Sequence, residues 1–240
     1  MKRMHIFSIL TMIVVYVLAS LVVDQSFILP KLNEVWNSFI LIIIANDFLI
    51  IIFSTIARFL TGVLISFIIS FILSSLAYNN HEFREFMEPI YIFLKTIPNI
   101  TYIIVSLIWL GRDGSVILVS LLSIFPLMYN SFLSAYLNID KELIDFTRLY
   151  NFSYSYKFFK VYLPLIRKDM IIAINNSLSL AFRVSVMAEI LGQVRVGIGK
   201  AMYYAKINYL MSDIFAWTII IIIISALIDF IFSRLSKLLD

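Results

Sequence analysis

From Phe48 to Ala77 the chain runs for thirty residues with a single charged side chain, Arg58. A membrane-spanning helix needs about 20 largely apolar residues. A run of this length has few places to hide in a water-soluble fold. The same criterion picks out six spans: Ile6–Val23, Phe48–Ala77, Pro89–Leu110, Ser115–Leu137, Lys168–Leu191 and Ser212–Phe232. The second is longer than a bilayer requires and is expected to tilt or protrude. Composition agrees, with 62% hydrophobic residues and only 14% charged ones, where soluble domains are near half apolar and a quarter charged. A single core of this size could not bury so much apolar surface.

The basic start Met1–His5 followed by an apolar run imitates a signal peptide. No A-x-A site follows it, so Ile6–Val23 reads as a retained first helix. Between the first two spans, Val35, Trp36, Phe39 and Ile40 fall at helical spacing within Pro30–Ala45, which suggests a short helix lying in the interface. With the N-terminus inside, eleven Lys and Arg fall on inner connections and ends and five on outer ones. That bias predicts both termini in the cytoplasm. The organisation is therefore one membrane domain over 1–240. An N-terminal span and outer segment occupy 1–47, core spans occupy 48–232, and a cytoplasmic loop occupies 138–167.

Several chemistries have little support. There is no cysteine, so disulfides, Cys metal sites and Cys nucleophiles are excluded. His5 and His81 are too few and too far apart for a zinc site or a triad. The net charge of +4 is small and unclustered, which argues against nucleic acid as a partner.

The longest polar connection, 138–167, has the pattern of a helix–turn–helix. Asp140 is a suitable N-cap, and Glu142 suits the positive end of a helix dipole. Leu143, Phe146 and Tyr150 then share one helical face. Asn151 suits a helix end, and Ser153 suits the cap of a second helix. Pro164 disfavours helical geometry at Leu163 and is expected to close the element. An amphipathic loop lying on the lipid is the plainer reading of the same segment.

At this loop the chain resembles the permeases of ATP-binding cassette importers, whose signature is E-A-A, three residues, G, nine residues, I-x-L-P. Asp145-Phe146-Thr147 stands at E-A-A, Asn151 at the glycine, Val161 at the isoleucine and Leu163-Pro164 at the final pair. Spacing is kept while several residue types differ. Further stretches resemble the nitrate/sulfonate/taurine branch. They are Leu29-Pro30 before Val35-Trp36, Ser54–Arg58 with Gly62, Glu88-Pro89 with Ile97-Pro98, Phe125-Pro126, and Ala188-Glu189 before Gly197-Ile198-Gly199.

The resemblance implies an all-α, six-helix permease of the type I importer kind, paired with a second copy. It implies two cytoplasmic ATPase subunits and an extracytoplasmic binding protein. The 138–167 loop would then be the coupling helix–turn–helix that meets the ATPase, with Arg148 beside Asp145, Phe146 and Tyr150. The solute would be small, of the nitrate, sulfonate, taurine or vitamin-precursor class (the thiamine pyrimidine or riboflavin). The chain has no G-x-x-x-x-G-K-[ST] phosphate loop, so ATP and Mg belong to the partner and no cofactor to this chain.

Intramembrane charge is costly and usually faces protein or water. Arg58, Arg183 and Glu189 are therefore path or interface candidates, with Asp229 nearby. Alternatively Glu189 and Asp229 sit near span ends and reach water, while Arg58 snorkels or pairs across helices. Arg183 and Glu189 are separated by about 120° around a helix and should not pair. Lys95 is expected to snorkel to the inner surface. Pro98 and Pro126 read as kinks or cavity-lining breaks, while Gly197 and Gly199 allow a tight turn or a gate. A membrane-embedded enzyme would need acidic or His groups converging at one depth. A secondary transporter would predict internal repeats, which the sequence does not display.

Overall fold

The computed structural model describes residues 2–140, 142–143, 145 and 152–238, and every regular element among them is helical. In chain order these are α1 (Lys2–Val23), α2 (Leu32–Ile44), α3 (Phe48–Asn79), α4 (His81–Thr96), α5 (Asn99–Leu137), α6 (Tyr154–Lys157), a π-helical turn (Phe158–Tyr162), α7 (Leu163–Gly192), α8 (Ile198–Ile207) and α9 (Met211–Leu238). Among the described residues, four stretches are long and apolar enough to cross a membrane: Phe48–Asn79, Asn99–Leu137, Phe158–Gly192 and Met211–Arg234. Leu10–Val23 and Leu32–Ile44 are shorter apolar helices. Helix α2 falls where the interfacial segment was expected. Its first turn is closed by Glu34, whose Oε2 accepts from the Lys31 N–H at 2.9 Å.

Helix α5 is a hairpin, not a rod. Gly111 has φ 66° and ψ −163°, a conformation open essentially to glycine alone. The Ser123 hydroxyl donates to Asn99 Oδ1 at 3.1 Å, although those residues would lie about 36 Å apart along a straight helix. The second leg, 112–137, is about 39 Å long and can cross a bilayer, whereas the first leg, 99–110, is only about 18 Å.

The third proposed span, Pro89–Leu110, is therefore not one helix. Helix α4 stops at Thr96, Ile97 is extended (φ −67°, ψ 128°), and helix resumes at Asn99. Pro98 sits at the break: its ring disfavours helical geometry at the residue before it and it has no N–H to give to the ladder. Pro89 and Pro126, by contrast, stay inside their helices.

A second expectation fails at Pro164. Leu163 keeps helical angles (φ −60°, ψ −45°), and its N–H reaches back five residues to Phe158 O. The wider π turn leaves room for a ring that would clash with the carbonyl four residues earlier. So Pro164 begins α7 and does not close the element before it.

Helices α3, α5 and α7 form the centre. Small residues let α3 approach the second leg of α5 closely: a Cβ on Gly62 would lie 2.6 Å from Ser120 Cβ and 2.8 Å from Ile117 O. Such small-residue contacts are how helices pack where lipid removes the hydrophobic drive. Around this seam Phe59 meets Phe182 edge-on, and Phe67 meets Phe132 likewise. Helix α9 joins from outside, with Trp217 stacked on Phe48. Helix α1 is tethered by the Tyr16 hydroxyl, which donates to Pro30 O at 2.7 Å.

Candidate functional site

Glu189, near the end of α7, is fully buried. Arg58 Nη1 donates to its Oε1 at 2.6 Å, while the Thr55 hydroxyl and the Gly199 N–H donate to Oε2 at 2.9 and 3.0 Å. Thr55 in turn accepts the Ile198 N–H at 2.9 Å. Arg58 spends its other nitrogens on Asp113 Oδ1 (2.8 Å) and Val196 O (2.6 Å). One guanidinium thus joins α3, the tip of the α5 hairpin, the end of α7 and the turn before α8. Each oxygen of the buried carboxylate has a donor, which is what makes a buried charge tolerable.

The two glycines after α7 exist for this carboxylate. A Cβ on Gly199 would come within 2.3 Å of Glu189 Cβ, and one on Gly197 within 2.7 Å of Glu189 Oε2. Gly197 also has φ 153°, outside the range of most side-chain-bearing residues. They are close-approach glycines. Beside them a cavity of about 420 Å³ opens, with Asp47, Arg195, Lys200 and Asp213 among its lining residues.

Arg183 belongs elsewhere, as its helical angle implied. It is exposed, and its Nε donates to Ser179 O at 3.1 Å. The Ser179 hydroxyl donates to Asp229 of α9. The structure therefore separates the four intramembrane charges into a buried Arg58–Glu189 group and a peripheral group around Ser179.

Pro98 marks a second place of interest. The break at 97–98 borders a cavity of about 270 Å³ whose lining includes Lys95, Asn99, Ser123 and Pro126. The Tyr102 hydroxyl donates to Leu94 O at 2.5 Å, the carbonyl that Pro98 cannot serve. One turn further along α7 lies a cavity of about 300 Å³ with Asn130, Ser134, Asn138, Asp169 and Asn176 in its wall. Asn130, Ser134 and Asn138 are spaced by four, so they line one exposed face of the second leg. A polar stripe on a helix of membrane-crossing length fits water or a partner helix, not lipid.

Of the loop residues, Phe146, Thr147, Arg148, Tyr150 and Asn151 lie outside the described residues. The flanks follow the expected capping. Asp140 Oδ1 accepts the Glu142 N–H at 3.0 Å, and Ser153 Oγ accepts the Tyr156 N–H at 3.3 Å. Glu142 and Asp145 are helical and exposed. Val161 sits in the π turn, with Leu163 and Pro164 at the start of α7.

Sequence reasoning did not single out Thr55, Asp113, Asn99, Ser123 or the 130–134–138 stripe. The stripe was readable from its spacing. Asp113 was not, because nothing local announces that residue 111 turns the chain back towards Arg58.

The described architecture is an all-helical bundle with membrane-crossing helices, one broken helix and a buried polar knot. The same fold is seen in the MetNI methionine ABC transporter in inward-facing conformations. One such chain superposes with a TM-score of 0.70 at 19% identity, covering 78% of this chain and 94% of that one. Residues 62–240 match the model of the binding-protein-dependent transport system inner membrane component, and the chain belongs to that family. It is 26% identical over 146 residues to SsuC of Bacillus subtilis, a permease named for aliphatic sulfonates, covering 60% of this chain and 52% of the relative. It is 27% identical over 153 residues to the glycine betaine transport system permease protein OpuAB of the same organism, covering 63% and 53%. The chain spans about half the length of these curated relatives.

Proposed function

We propose that the chain is the membrane-spanning permease subunit of an ATP-driven importer for a small solute, working in the inner membrane with both termini in the cytoplasm. The observation that carries this is the family match over residues 62–240, supported by the polar stripe and broken helix described above. Transport subunits tolerate irregular backbone at membrane depth only where it is buried or lines a cavity. In this reading α1, α3, the two parts of the broken third segment, the second leg of α5, α7 and α9 make six crossings. A second copy faces the Asn130–Asn138 stripe, so that the two copies enclose the path. Two cytoplasmic ATPases hold the ATP and Mg, and an extracytoplasmic binding protein delivers the solute. Relatives named for sulfonates and for glycine betaine suit a small polar solute of the sulfonate, nitrate or taurine kind, or a vitamin precursor. Neither a membrane-embedded enzyme nor an ATP-independent carrier is favoured by any feature of the site.

The 138–167 loop is the ATPase contact in this reading, with Phe146 and Tyr150 as its apolar anchors. The test is co-purification of the permease with the ATPase encoded beside it. Phe146→Asp should release the ATPase and abolish solute-stimulated hydrolysis, because it buries an unpaired charge. An intact Phe146→Asp complex with normal coupled hydrolysis removes this loop from the mechanism.

A further inference from the structure

The break at residues 97–98 lies level with the middle of the second leg of α5, which in the permease reading is the middle of the membrane. Asn99 is level with Ser123 through their hydrogen bond, and Ser123 is about 17 Å from one end of the second leg and about 21 Å from the other. Thr96 and Pro98 are nonetheless exposed. Pro98 O accepts the Thr101 N–H at 2.9 Å, but irregular backbone at that depth is tolerated only where it is buried in protein or lines a water-filled cavity, and the exposure of Thr96 and Pro98 favours the second.

The chemistry of that space has a sign. Lys95, expected to snorkel to the inner surface, instead lines the cavity of about 270 Å³ as its one charged residue, and no carboxylate among the described residues pairs with it. Asn99 adds to this. Its Oδ1 is occupied by the Ser123 hydroxyl, which leaves the two amide hydrogens available as donors. The same lining carries apolar side chains, among them Ile97, Pro126, Leu127 and Leu180. A cation, an amide and aliphatic side chains in one lining suit a small organic anion, a carboxylate or sulfonate with a short apolar body. Sites of this kind fix orientation with few polar groups and take their contact area from apolar ones.

We infer that the broken helix forms a transit subsite for a small organic anion, with Lys95 as counter-charge and Asn99 as hydrogen-bond donor. This rests on the permease reading and adds to it a place in the membrane where the solute pauses.

The chain has no cysteine, so one introduced thiol reports without background. Asn99→Cys in the full complex, in native membranes, is treated with sulfonatoethyl methanethiosulfonate and, separately, with its trimethylammonioethyl counterpart. The first reagent is itself a small organic anion. Its rate relative to the cationic reagent, normalised to a free small thiol, should be raised about tenfold by a nearby ammonium in a confined, low-dielectric space. Lys95→Gln should remove that preference and Lys95→Arg should keep it. Ser123→Cys carries the same test if Asn99→Cys accumulates poorly. An anion preference that survives Lys95→Gln, or thiols at 99 and 123 that both reagents fail to reach, overturns the inference. Co-purification of the ATPase is scored on the same preparations. Its loss with normal rate ratios counts against the importer reading and not against the subsite.

Discussion

Arg58 and Glu189 stand 131 residues apart in sequence, yet Arg58 Nη1 lies 2.6 Å from Glu189 Oε1. The carboxylate is fully buried, while the guanidinium reaches a partly exposed edge where it also holds Asp113. The two arms of this arginine therefore differ in kind. One neutralises a charge that has no other cation partner among the described residues, and the other ties down a hairpin tip in contact with solvent.

That difference is measurable by thermal unfolding in detergent. Arg58→Leu strands the Glu189 charge and should destabilise the protein by roughly 3–5 kcal/mol. Asp113→Asn cuts only the exposed arm and should cost under about 1 kcal/mol. Combining Arg58→Leu with Glu189→Leu should recover part of the loss. Equal effects of the two single changes would rule out the asymmetry.

Two glycines should fail on substitution for different reasons. Gly199→Ala puts a methyl 2.3 Å from Glu189 Cβ and 2.5 Å from Ile190 N, so α8 must move away from α7. Gly111→Ala meets no atom within 4 Å, but its backbone angles should cost about 1–3 kcal/mol. Size-exclusion profiles of the solubilised protein should show Gly199→Ala as the more damaged. A Gly199→Ala protein of unchanged yield and profile would contradict the close approach.

The hairpin in α5 can be tested by cross-linking. With Asn99→Cys and Ser123→Cys together, an oxidant should form an intramolecular disulfide, because the native side chains already touch at 3.1 Å. A straight helix would hold the two thiols about 36 Å apart and give none. Mass spectrometry of the digested protein reads the outcome directly.

Orientation is tested with single cysteines and an impermeant thiol reagent on intact cells. Arg112→Cys and Lys206→Cys should be labelled from outside, and Ser153→Cys should not. Position 197 is unsuited to this purpose, since any side chain there runs into Glu189 Oε2. Labelling of Ser153→Cys from outside would reverse the proposed orientation.

The sequence made the helical class legible because lipid demands long apolar runs, and such runs need no knowledge of their neighbours. Asp140 and Ser153 were legible as caps for a similar reason, since capping is a local bond. Arg58, Glu189, Gly197 and Gly199 stood out singly, but their assembly into one knot depends on the turn at Gly111 and on the packing of α3 against α7. Pro98 and Pro164 show the limit most clearly. Both look like helix breakers in isolation. Only Pro98 breaks its helix: a π turn takes up the ring of Pro164, and Pro89 and Pro126 stay inside theirs without one, so no local signal sets Pro98 apart.

That π turn gives the last long helix a mechanical character. From Tyr154 through Phe158–Tyr162 to Gly192 the chain is helical without interruption, a rod of roughly 55 Å. Arg58, Thr55 and Gly199 clamp its far end at Glu189. Between its ends the rod packs along α5, α3 and α9, so it cannot swing alone. If Ser153 is pushed, the turns at Tyr154–Tyr162 can bend, while the packed length up to Glu189 moves only together with the helices it touches.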